Sequence, residues 1–124
     1  MVIIGIGTDI IKVDRIVKAV KRTEKFLDNA FTQKEICYFK QRKFNPETIA
    51  GFFAAKEAVS KALGTGFRGF GLRDIEVTTN ELGKPEVNLS PKVFDILKKE
   101  SVKIHLSISH TDDNAIAFAI LEEV

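Results

Sequence analysis

The sequence predicts an α+β fold with a mainly antiparallel sheet in one domain. Three observations carry this. The segments run in the order strand, helices, hairpin, helix, hairpin, without the strand–helix alternation of a parallel sheet. Polar turns short enough for hairpins separate the later strands. The 124 residues contain no repeat, linker or low-complexity tract, which suits a single domain over 1–124.

Residues 2–11 are rich in Ile and carry Gly5 and Gly7, and read as a strand. From about residue 14 a helix follows, because Val13, Ile16, Val17 and Val20 recur on one apolar face. Arg15, Lys18 and Arg22 then share another face. Thr32 with Glu35 three residues on is a capping box opening a helix through about residue 41. Asn45-Pro46 is an N-cap with proline at the first helical position. It starts a helix to residue 63, closed by Gly64, with Ala50-Gly51 and Ala54-Ala55 permitting close packing. Residues 64–71 form a glycine-rich loop expected to be mobile. Residues 74–79 and 86–89 pair across the Leu82-Gly83-Lys84-Pro85 turn. Ser90-Pro91 begins a helix to about residue 100. Residues 102–109 and 115–121 make a last hairpin around His110-Thr111-Asp112-Asp113-Asn114.

Composition narrows the function classes. Ten of the eleven aromatics are Phe and none is Trp, so most rings are expected to fill core or interface. Cys37 is the sole cysteine; beside Ile36 in a helix it reads as a buried, inert thiol. No charged leader precedes a long apolar run and no stretch is long enough to span a bilayer, so a soluble cytoplasmic protein is expected, with no membrane partner. Residues 1–44 hold ten Lys and Arg against five Asp and Glu, a net +5, whereas residues 45–124 are net −3. A basic N-terminal third suits an acidic partner or a phosphate ligand, or a solvated face. Nucleic acid is not expected, since no aromatic platform or RNA motif accompanies the basic residues.

Three segments carry candidate chemistry. In Gly5-Ile6-Gly7-Thr8-Asp9-Ile10, strand alternation puts both glycines and Asp9 on one face, with space cleared beside a lone carboxylate. The competing reading is Asp9 on the solvent side of an edge strand. The two glycines lack the third glycine and the βα context of a dinucleotide fingerprint. In Phe53-Ala54-Ala55-Lys56-Glu57-Ala58-Val59-Ser60-Lys61, Glu57 and Lys61 share a helix face. Alone they are a surface ion pair; on a small-sided helix beside a glycine-rich loop they resemble a site. In Ser107-Ile108-Ser109-His110-Thr111, the two serines share a face and His110 opens a turn, where it can donate to a phosphate. His105, mid-strand, reads as a satisfied structural histidine. Two carboxylates, Asp9 and Glu57, with no Cys/His set suit Mg²⁺, which keeps waters and is completed by substrate phosphates. Lys61 and His110 are candidates to hold phosphate oxygens. Composition and spacing identify neither donor nor acceptor.

In these three segments, with Gly64-Thr65-Gly66 and Leu82-Gly83-Lys84-Pro85, the sequence resembles the holo-[acyl-carrier-protein] synthases, the small bacterial class of 4′-phosphopantetheinyl transferases. The resemblance spans nearly the whole chain in order. It implies transfer of 4′-phosphopantetheine from coenzyme A to a serine of apo acyl carrier protein, leaving adenosine 3′,5′-bisphosphate. It further implies that Asp9 and Glu57 bind Mg²⁺, that Lys61 neutralises the pyrophosphate, and that His110 and Thr111 lie near the 3′-phosphate. Gly64, Pro85 and Ser109 would border the nucleotide and the arm. Glu57 or a water it holds would take the serine proton, with Asp9 or a metal-bound water as alternatives. The resemblance also implies a homotrimer with shared sites, Asp9 from one subunit and Glu57 with Lys61 from its neighbour. The face of Arg15, Lys18 and Arg22 resembles the surface that receives the acidic carrier, Arg15 foremost. One departure stands out: family members often carry Arg where this chain has Phe52, and Arg42 and Lys43 are the candidates to replace it. The alternative reading is a basic trimer that grips phosphates or nucleotides without turning them over.

Overall fold

The computed structural model describes residues 2–124. The chain runs β1 (Val2–Lys12), α1 (Val13–Arg22), α2 (Phe26–Ala30), α3 (Gln33–Gln41), α4 (Pro46–Ala62), β2 (Ile75–Thr79), β3 (Pro85–Leu89), α5 (Pro91–Leu97), β4 (Val102–His110) and β5 (Asn114–Glu123). Every strand pair is antiparallel: one sheet has the order β1-β5-β4 and a second pairs β2 with β3. The α+β expectation holds.

Local chemistry sets the helix starts. Thr32 Oγ1 accepts from the Glu35 amide at 3.2 Å while Glu35 Oε1 accepts from the Thr32 amide at 2.8 Å, which completes the capping box. Asn45 Oδ1 accepts from the Glu47 amide at 2.8 Å and Pro46 sits at the first turn of α4. Gly64 follows α4 with φ +81°, the left-handed geometry that favours glycine.

Three expectations are corrected. The short helix α2 carried no capping signature and was not foreseen; Ala30 and Phe31 bury it against the core. The helix α5 stops at Leu97, short of residue 100, because Lys98 turns left-handed with φ 57°. The glycine-rich loop is tethered: Phe70 is buried, and Phe67 packs edge-on against it with ring centroids 5.6 Å apart.

The core lies between α4 and the inner face of the β1-β5-β4 sheet. Ala115, Ala117, Ala119 and Leu121 of β5 are buried there, facing the small residues Ala50, Ala54, Ala55, Ala58 and Ala62 of α4. Small residues on both sides let backbone approach backbone. The extreme is β1: a Cβ on Gly5 would stand 1.8 Å from the Ala62 carbonyl oxygen, and one on Gly7 would stand 1.9 Å from that of Ala58. A second layer of Phe31, Phe39 and Phe52 packs α3 on the other side of α4, the Phe31 and Phe39 rings meeting edge-to-face at 4.8 Å.

The helix α4 is also clamped by charge. Lys56 is fully buried, and its Nζ donates to Glu35 Oε1 at 2.7 Å, to the Ile75 carbonyl at 2.7 Å and to the Leu72 carbonyl at 2.9 Å. Glu35 Oε2 accepts from the Val77 amide at 2.8 Å. Burial pulls the Lys56 amine below its ordinary range, and Glu35 opposes this. One pair thereby joins α3, α4 and β2. Breaking such a buried pair costs about 3–5 kcal/mol, because the remaining partner is stranded without water.

Cys37 corrects another expectation. It is exposed, because α3 turns Ile36 and Phe39 inward and leaves Cys37 outward. His105 is half-exposed on the outer sheet face, and its Nε2 has a partner in Glu122 Oε1 at 3.3 Å.

The fit of β1 on α4 yields a test. Gly7→Ala is expected to destabilise the fold by about 3 kcal/mol, since neither backbone can yield cheaply. Urea denaturation measures it; a loss under 0.5 kcal/mol would refute the close packing.

Candidate active site

Asp9 lies on β1, an edge strand, but on the side that faces α4 and not on the solvent side. Gly5 and Gly7 share that face, and their missing side chains bring the strand near enough for Asp9 to reach α4. The Lys61 Nζ donates to the Thr8 carbonyl at 2.9 Å and to Asp9 Oδ1 at 3.2 Å. Glu57 stands one turn before Lys61 on the same helix face. Burial raises the Glu57 carboxyl above its ordinary range; the negative charge of Asp9 pushes it further the same way, and Lys61 and Arg15 pull it back. Asp9, Glu57 and Lys61 therefore converge within one chain. This corrects the division of Asp9 and Glu57 between neighbouring subunits: the strand and helix that carry them are packed directly on each other.

The donor set fits a hard divalent cation. Two carboxylates close enough to feel each other's charge, one of them half-buried, leave negative charge that a single amine only partly offsets. Among the described residues no group of three or more His, Cys, Asp or Glu forms a metal cluster. Two oxygen ligands suit Mg²⁺, which takes its remaining ligands from water and phosphate, and not zinc.

The other candidates fall in two places. Gly64 follows Lys61 at the carboxylate end of α4, its amide donating to the Lys61 carbonyl at 3.0 Å. Arg15, Lys18 and Arg22 are exposed on α1, and Arg15 lies close enough for its charge to act on Glu57. Lys18 pairs with Asp14 at 2.9 Å. His110 and Pro85 are at the opposite end of α4, where they line a cavity of about 250 Å³ with Tyr38, Arg42, Glu47 and Phe52. Glu47 and Glu57 are about 15 Å apart along the helix at roughly 1.5 Å per residue. Thr111 is exposed, its Oγ1 accepting from the Asp113 and Asn114 amides. Ser109 alternates with His110 and stands exposed on the outer sheet face.

At the departure from the family pattern, Phe52 is buried and stacks on Tyr38, centroids 5.3 Å apart and planes at 10°. Arg42 lies over the other partner of that stack, its guanidinium 5.2 Å from the Tyr38 ring centre. Arg42 lines the cavity and Lys43 does not. Sequence reasoning gave no role to Lys56, Tyr38 or Glu47 and read Glu35 only as a capping residue; a lysine amid the alanines of α4 was the one available signal.

The chain belongs to the 4′-phosphopantetheinyl transferase superfamily, whose family model matches residues 5–119. Within it, a holo-[acyl-carrier-protein] synthase of Clostridium beijerinckii is 57% identical over 98% of this chain and 99% of its own length. A namesake from Clostridium botulinum is 60% identical over 97% and 98%. The crystal structure of the Neisseria meningitidis holo-[acyl-carrier-protein] synthase superposes with a TM-score of 0.88 at 35% identity, covering 98% of this chain and 100% of that one. The Helicobacter pylori enzyme, solved with coenzyme A, gives 0.83 at 36% identity over 94% and 99%.

The raised Glu57 carboxyl has a signed consequence. A folded value above the unfolded one favours the protonated native state, so this contribution is complete below the unfolded pKa and is lost as pH rises through the raised value. Asp9→Asn removes one cause and is expected to move Glu57 back toward the ordinary carboxylate range. Carboxyl-carbon NMR titration reads this directly, and an unmoved Glu57 would separate the two side chains.

Proposed function

We infer that this chain transfers the 4′-phosphopantetheine group from coenzyme A to a serine of apo acyl carrier protein, giving the holo carrier and adenosine 3′,5′-bisphosphate. The observation that carries the reading is the convergence of Asp9, Glu57 and Lys61 where β1 lies on α4, in a chain with near full-length relatives of that name.

In the reaction, the carrier serine oxygen forms a bond to the phosphorus that bears the pantetheine. The bond from that phosphorus to the bridging oxygen breaks, and the electron pair leaves on the 5′-phosphate of the bisphosphate. Lys61 is placed to hold a pyrophosphate oxygen by exchanging its Asp9 contact for the ligand. Glu57, with its carboxyl raised toward neutrality, is suited to accept the serine proton. Asp9 and Glu57 would hold Mg²⁺, which supplies charge neutralisation at the pyrophosphate when bound. Arg15 stands within charge range of Glu57, and the exposed Arg15, Lys18 and Arg22 of α1 suit an acidic carrier.

We further propose that the working unit is a homotrimer with shared sites. The 3′-phosphate and pyrophosphate of coenzyme A are separated only by the ribose, whereas the Arg42–His110 cavity and the Asp9–Glu57 pair of one chain sit at opposite ends of α4. A neighbour's cavity placed against the carboxylate end would complete one site. The outer sheet face offers the surface: Ile6 and Ile10 are each 64% exposed, with Ile116 at 45% and Phe118 at 41%, adjacent across β1 and β5. The expected compartment is the cytoplasm, and no helix among the described residues is long and apolar enough to cross a membrane.

Two experiments test this. Mass spectrometry of an apo carrier incubated with the protein, coenzyme A and Mg²⁺ is expected to show one added phosphopantetheine, abolished by chelator. Asp9→Ala and Glu57→Ala should each reduce turnover at least about a hundredfold, and Arg15→Glu should raise KM for the carrier and not for coenzyme A. Full turnover in either carboxylate variant defeats the proposed centre. Separately, Phe118→Arg is expected to give a folded monomer with little transfer activity, read by analytical ultracentrifugation beside the mass assay. An active monomer would rule out sharing.

A further inference from the structure

We propose that Glu47 is a positioning residue for His110, fixing which ring nitrogen the histidine presents to a phosphate in the Arg42 cavity. Glu47 Oε2 stands 3.2 Å from His110 Nδ1. The backbone of Glu47 is held by the Asn45 cap at the start of α4, and His110 is the last residue of β4. The contact thus ties the N-terminal end of the helix to the end of the strand, at the wall of the cavity that both residues line.

The chemistry explains a carboxylate in a place built for anions. The charged and titratable groups around this cavity are Arg42 and Tyr38 from α3 and its C-cap, Glu47 from α4 and His110 from β4. Glu47 is the only acid among them, and unpaired it would repel a phosphate. Paired with Nδ1–H of His110 it does the opposite. A hydrogen bond from Nδ1–H to that carboxylate would leave Nε2, across the ring, to face the ligand. Donation from both nitrogens at once, to Glu47 and to a phosphate, takes the doubly protonated ring, in which both nitrogens are donors. Arg42, held over the Tyr38 ring at 5.2 Å, supplies the second positive group. Without Glu47 the ring is free to turn about its side-chain bonds, because 48% of it is exposed and, among the described residues, Glu47 is its ion-pair partner.

This inference rests on the reading that the cavity receives the 3′-phosphate end of coenzyme A. The test separates the two. Dissociation constants for coenzyme A and for dephospho-coenzyme A, which lacks only the 3′-phosphate, are measured by calorimetry on the intact protein and on His110→Ala, Glu47→Ala and Glu47→Gln. His110→Ala is expected to weaken coenzyme A selectively. Glu47→Ala should weaken coenzyme A roughly three- to fivefold, the range open to a half-exposed ion pair, with dephospho-coenzyme A changed less than about twofold. Glu47→Gln retains an acceptor for Nδ1–H and should recover part of the loss. In nitrogen NMR, neutral His110 is expected to carry its proton on Nδ1 in the parent protein and to shift toward the Nε2 form in Glu47→Ala. If His110→Ala discriminates between the two ligands but Glu47→Ala affects both equally or neither, the positioning role is overturned. If His110→Ala fails to discriminate, the phosphate reading of the cavity falls and the positioning role falls with it.

Discussion

The whole arrangement depends on one steric fit, the backbone of β1 lying directly on α4. Gly5 and Gly7 permit it, since any side chain there would meet the carbonyl oxygens of Ala62 and Ala58. Ala58 and Ala62 permit it from the other side. Two residues beyond Gly7, Asp9 arrives beside Lys61 and within range of Glu57. The spacing of the glycines and the carboxylate along the strand, at period two, is therefore the same fact as the geometry of the site. A larger residue at either glycine would lift the strand and carry Asp9 away with it.

Helix α4 divides its charges between two tasks. Lys56 and Glu57 are neighbours in sequence but point about 100° apart. Lys56 turns into the core and is consumed by Glu35 and two carbonyls, while Glu57 turns toward β1, within range of Asp9. The buried pair fixes the rotation of the helix about its own axis, because three acceptors on α3, β2 and the turn before β2 must all be met. That rotation aims Glu57 and Lys61. The cost is a lysine held against its solvation preference, offset by a carboxylate that is itself satisfied by the Thr32 and Val77 amides.

The same helix places its two functional ends far apart. The carboxylate end and the cavity end are separated by most of its length, too far for one short ligand, and a small domain has no further elements with which to bring them together. An apolar outer sheet face in a chain of this size is the complementary feature, and the proposed homotrimer would use it to bring a second copy against the site.

Much of this was legible in the residues themselves. The capping box at Thr32, the Asn45-Pro46 start and the Gly64 stop are local hydrogen-bond and backbone preferences, so the sequence alone placed α3 and α4. Period-two alternation put Gly5, Gly7 and Asp9 on one face, and period 3.6 put Glu57 with Lys61. Other features were not legible because they depend on which surfaces meet. The five-residue α2 has no side-chain cap, and packing of Phe26, Leu27, Ala30 and Phe31 against the core sustains it. Lys98 ended α5 early through a left-handed turn that no glycine or proline announced. Cys37 was assigned to the interior from its neighbours in sequence, whereas its exposure follows from the rotation of α3. Period and capping determined the elements and the face each functional side chain occupies. Only the tertiary structure decided that Asp9 and Glu57 meet within one chain, that Lys56 belongs to the core and that His110 lies with Glu47 at the far end of α4, because contacts between distant segments are set by packing and not by spacing.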